Sequence, residues 1–140
     1  MKSPHLLRVS PSPEPFAPLL RAAAEAGLRI GWLEIAAVPP EPLPPTLAAA
    51  AGAGAHRAVA AAPGRSVAVK PLRGAPVLKD LLREHFLGCA LVLIAGDPSV
   101  PLPLLQRVGD DAWELTPPSA APLQLTTADA IAALRRPHPW

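Results

Sequence analysis

The chain has 140 residues and a formal net charge of +2, with half of its residues apolar and 17% charged. That supplies a core for one domain and leaves too little charge for a charged coil or a highly charged disordered chain. Its 28 Ala, 22 Leu and 21 Pro, with no Tyr and only 2 Phe and 3 Trp, also disfavour a sandwich of Val-, Thr- and Tyr-rich strands.

Leu6 to Ser10 reads as a first strand. Ser12-Pro-Glu-Pro then gives a hydroxyl N-cap, a first-turn proline and an acid that suits a helix start. Phe16, Leu19, Leu20 and Ala23 form one helical face, and Gly27 stops the helix. Leu28 to Val38 reads as a second strand, apolar on both faces and therefore covered on both sides. Five prolines within 39–45 predict a stiff connector. Thr46 to Ala62 is nearly all Ala and predicts a helix weakened by Gly52 and Gly54, or a broken one, ended by Pro63-Gly64.

Ser66 to Leu72 reads as a third strand. A third helix begins at Pro76, with Val77, Leu78, Leu81, Leu82, His85 and Phe86 on its inner arc. Ala90 to Gly96 is the clearest central strand. Leu104 to Val108 and Ala112 to Thr116, around Gly109-Asp-Asp111, predict a hairpin. A last helix, Ala128 to Arg136, is capped by Thr126 or Thr127, and 137–140 form a short tail. Proline-rich loops occupy 39–45, 98–103 and 117–122.

The expected architecture is a single α/β domain over 1–140. Its sheet is mainly parallel, with helices on both faces in three layers, Rossmann-like or flavodoxin-like, followed by a C-terminal hairpin and final helix.

Composition narrows the partners. The 10 Arg and 3 Lys are scattered, without the clustered charge of nucleic-acid binding. Cys89 is alone, so neither a disulfide framework nor a multi-cysteine zinc site is expected, and the chain suits a reducing cytoplasm. The N-terminus lacks a signal-peptide core, and Leu87 to Gly96, the longest apolar run, is half a membrane span. His5, His56, His85 and His138 lack metal-ligand spacing, and no phosphate loop, dinucleotide fingerprint or nucleophile elbow is present. No metal or cofactor is expected.

Open α/β sheets bind ligands at the carboxyl ends of their strands. Those ends carry Ser10, Lys70, Arg73, Gly74, Asp97 and Ser99. Lys70 and Arg73-Gly74 before a helix would set two cations beside free amides, a candidate anion site for a phosphate or carboxylate. The simpler reading makes Arg73-Gly74 a solvated turn, Lys70 a snorkelling edge residue and Asp97-Pro98 a turn starter. Glu34 beside Trp32 reads either as a carboxylate under an indole or as a strand nearing solvent, and Asp110 and Asp111 read as turn residues. Cys89 and His85 read as buried or boundary residues. Trp140 reads as a docking side chain or as a cover for the sheet edge or the last helix.

Two functions follow. The favoured one is a non-catalytic binding or accessory module acting through contacts with another protein or with itself. The alternative is a small-ligand binding protein or enzyme with its site at the strand carboxyl ends.

Overall fold

The computed structural model describes residues 3–137 and Pro139. The chain divides into two compact units, one made of 1–35 with 78–140 and the other of 36–77.

In the first unit, β1 (His5–Val9) leads into a 3-10 turn, Glu14–Phe16, and then α1 (Ala17–Glu25). The expected cap is replaced: the Ser12 hydroxyl donates to the Glu14 carboxylate, and Pro13 holds the N-cap position without a side-chain bond. Phe16, Leu19 and Ala23 are buried, as their spacing predicts, and Gly27 at φ +75° ends the helix. β2 (Ile30–Ile35) follows. Within the second unit lie α2 (Pro45–Gly52), β3 (Ala58–Ala62) and β4 (Arg65–Val69). The chain returns to the first unit with α3 (Leu78–His85), β5 (Leu91–Gly96), β6 (Leu104–Gly109), β7 (Ala112–Thr116), β8 (Leu123–Leu125) and α4 (Thr127–Leu134).

Six strands form the large sheet, in the order β2-β5-β1-β6-β7-β8. The fold is α/β, but the sheet is mixed where a mainly parallel one was expected. β2, β5, β1 and β6 run parallel, and β6, β7 and β8 form an antiparallel meander. β5 stands between β1 and β2, which are neighbours in both of the expected arrangements. β2 is therefore an edge strand, a position that its two apolar faces do not specify.

Parallel strands such as β5 and β6, which flank β1, ordinarily need a long crossover between them. The short loop 97–103 suffices here because β6 is staggered. It meets β1 only where Leu104 pairs with Arg8, and the Arg8 N–H donates to the Pro103 carbonyl at 2.8 Å. β6 therefore starts where β1 is ending and continues past it.

The core sits on one face of this sheet, where Leu7, Val9, Leu91, Leu93, Leu105, Trp113 and Leu115 meet Phe16 and Leu19 from the α1 region and Ala130 and Leu134 from α4. Phe16 stacks on Trp113 at 5.7 Å and tilts against Trp32 at 5.9 Å. Burying Phe16 alone stabilises by roughly 1.5–3 kcal/mol, and the aromatic contacts add to that. On the opposite face Phe86, just after α3, lies against Gly31, where a Cβ would come within 2.4 Å of its ring. Helix α3 starts at Leu78, not at Pro76, and buries no residue completely. Val77 and His85, expected on its inner arc, are both exposed.

The second unit corrects two further expectations. The Ala-rich stretch is a helix only to Gly52, and its end, Ala58–Ala62, is strand. Alanine propensity is a weak prior that pairing overrides. The strand expected over Ser66 to Leu72 is present as β4, ending at Val69, but it is not in the large sheet: it pairs antiparallel with β3 in a separate two-stranded sheet. Pro63-Gly64, at φ +91° on Gly64, turns that hairpin.

Candidate functional site

The carboxyl ends of β1 and β5 meet at one edge, because these strands pair in parallel with Val9 opposite Ala95. Ser10 and Asp97 follow directly and are exposed, as is Ser99. The Asp97 carboxylate accepts the Ser99 N–H at 2.8 Å, and Ser99 sits at φ +60°. This is an Asx turn that starts the crossing to β6. The carboxylate therefore makes the turn, as the simpler reading has it.

Lys70, Arg73 and Gly74 belong to the other unit. The reason for grouping them with Asp97 was a third strand ending at the same sheet edge, and β4 is not in that sheet. The helix amides meant to stand beside Gly74 begin only at Leu78. Gly74 has φ +79° and open space around it, the geometry of a solvated turn. Trp140 lies outside the described residues.

Glu34 is exposed on the edge strand. Cys89, at the amino end of β5, is half-buried. Asp111 does more than form a turn. Its carboxylate accepts the N–H of Thr127, the first residue of α4, at 2.9 Å. The Thr127 hydroxyl in turn accepts the indole N–H of Trp113 at 2.9 Å. Bonds from the Thr127 hydroxyl and then its amide hold the Asp111 carboxyl below its ordinary value. The Thr126 amide and then its hydroxyl do the same for Asp129, closing a capping box. These groups fix α4 to the hairpin.

An open cleft of about 320 Å³ lies at the opposite, amino edge of the sheet, lined among others by His5, Arg29, Gly88, Cys89 and Leu134. Among the described residues that line it there is no Asp or Glu. The strand-end rule gave no reason to look there. Among the described residues, no three His, Cys, Asp or Glu gather as a metal site, and no helix is long and apolar enough to cross a membrane.

The surface of the second unit is unusual. Across 36–77 only Leu47 and Ala58 are buried. Both strands are exposed over nearly their whole length, with Val59 at 60% and Val67 at 41%. The sequence carried a signal for this hairpin, since Pro63-Gly64 separates Ala-Val-Ala-Ala-Ala from Arg-Ser-Val-Ala-Val. The alanines hid it.

No protein-family model matches the chain, and no curated protein or solved structure shows significant similarity to it.

Proposed function

We propose that the protein is a non-catalytic binding module acting through protein–protein contacts, with the β3–β4 hairpin as its contact element. The observation that carries this reading is the hairpin's lack of cover. A two-stranded sheet is marginal in water unless more strands or a packed helix support it. Here the support within the unit amounts to Leu47 of α2 and Ala58 of β3 as its buried side chains. Exposed Val59, Val67, Leu72 and Val77 remain, apolar side chains of the kind a partner buries. A single cysteine suits work in the cytoplasm.

The test is a photo-reactive residue at position 59, with one at Val108 as the control, in the chain expressed in its source cells. Both positions are exposed strand valines, at 60% and 53%. Position 59 is expected to form protein adducts well above the control. Equal yields at both positions would overturn the reading.

A small anionic ligand is the second reading, and the amino-edge cleft favours it. Arg29 and His5, two basic side chains, are among the residues that line that cleft. Inorganic phosphate is expected to raise the melting temperature of the wild type but not of Arg29→Gln, and equal shifts would remove this reading.

A further inference from the structure

We infer that the partner of the hairpin is a second copy of this chain, joined by antiparallel pairing of the two β3 strands into one four-stranded sheet. The inference rests on the hairpin being the contact element and names what it contacts.

Exposed strand edges invite pairing, and proteins blunt them with charge, proline or shortness. Three of the four sheet edges among the described strands are blunted in this way. β2 carries exposed Glu34 and follows Arg29. β8 has three residues and follows Pro122. β4 contains Arg65 and runs into Lys70-Pro71. Within the strands themselves β3 is the exception: Ala58–Ala62 has neither the charge of β2 and β4 nor the shortness of β8, and its Arg57 and Pro63 lie just outside it.

The β3 edge is also self-complementary. Antiparallel pairing about a two-fold axis is isologous, so each residue meets its symmetry mate across the axis. Centred on Ala60, it sets Val59 opposite Ala61 and Ala58 opposite Ala62 of the second copy. Arg57 then faces Pro63, so the nearest charges do not oppose each other. Pro63, having no N–H, ends the ladder in both directions. Four strands also remove the weakness of the isolated hairpin. A partner strand of another protein would have to match this short, uncharged edge, whereas a second copy matches it by symmetry.

Sedimentation equilibrium of the full chain tests this. A short interface belongs to the weak class, so the wild type is expected to dimerise with Kd between about 10 and 500 µM. Val59→Lys places a charge beside the axis and is expected to weaken the dimer at least about tenfold, with its circular dichroism unchanged. Ala60→Cys in a Cys89→Ser background keeps the edge small and is expected to form a disulfide dimer under mild oxidation, where Val108→Cys does not. A wild type still monomeric at about 1 mM would overturn the inference, as would a dimer indifferent to Val59→Lys or an Ala60→Cys chain that does not cross-link. Adducts from position 59 to other proteins, from a monomeric chain, would overturn the second-copy partner while keeping the contact role. No adducts above the control would remove both.

Discussion

Trp113 shows how much one residue organises here. Its ring is completely buried against Phe16, and its N–H is satisfied by the Thr127 hydroxyl. Thr127→Val would leave that donor without its partner, and the penalty is expected to be about 1–3 kcal/mol in urea denaturation. Thr126→Ala removes the capping hydroxyl and should cost about 1 kcal/mol. A Thr127→Val chain as stable as the wild type would show that this bond does not matter. Asp111 and Asp129 make the same anchor pH-dependent. Their carboxyls lie below the ordinary 3.8 because the α4 cap bonds favour the charged form. A lowered native pKa means that the unfolded chain takes up protons first as pH falls. The cap's contribution is therefore whole above about pH 4 and is lost through the lower native values. Urea midpoints should show a shallower fall below about pH 4 in the Asp111→Asn, Asp129→Asn double variant than in the wild type. The sequence displayed the Thr126/Thr127 cap but not Asp111's part in it. That bond joins a hairpin turn to a helix start across 16 positions, and no local pattern encodes it.

Elements were legible where one local force dominates. Helix α1, strand β5, the β6–β7 hairpin and the capped α4 follow from periodicity, punctuation and cap chemistry. Two kinds of element were not. β8 is too short for a periodic signal and lies just after a proline loop. The end of the alanine tract is strand because β4 is there to pair with it, a decision made outside the tract itself. Sheet position was equally hidden. β2 is apolar on both faces, a pattern that says nothing of which strand it pairs with, and β5 takes the place between it and β1. One consequence of that order can be tested at Gly96, which pairs with Ile35 of β2 at the end of β5. Gly96 has φ +96°, and a Cβ there would lie 1.9 Å from the Ile35 carbonyl oxygen. Gly96→Ala should cost about 3 kcal/mol or more, read as a fall in the urea midpoint. Gly74→Ala is the comparison, since it meets strain but open space, and its expected cost is about 1–2 kcal/mol. Equal losses at the two sites would contradict the packing described at the β2–β5 edge.

At the scale of the whole molecule, apolar burial is distributed unequally. The first unit concentrates its core around Trp113, Phe16 and β5, where five consecutive residues are buried. The second unit buries two. The site residues read from the sequence divide along the same line, with Ser10, Asp97 and Ser99 in one unit and Lys70, Arg73 and Gly74 in the other. Their grouping followed from treating every strand as part of one sheet, an assumption that local pattern cannot check. A small, incompletely covered hairpin is then the feature that most needs a functional account, and self-pairing supplies one. Amide hydrogen exchange over 58–62, followed as protein concentration rises, measures this directly. Protection of these amides should increase with concentration while that of β5 stays constant. Exchange in β3 that is independent of concentration would contradict the account.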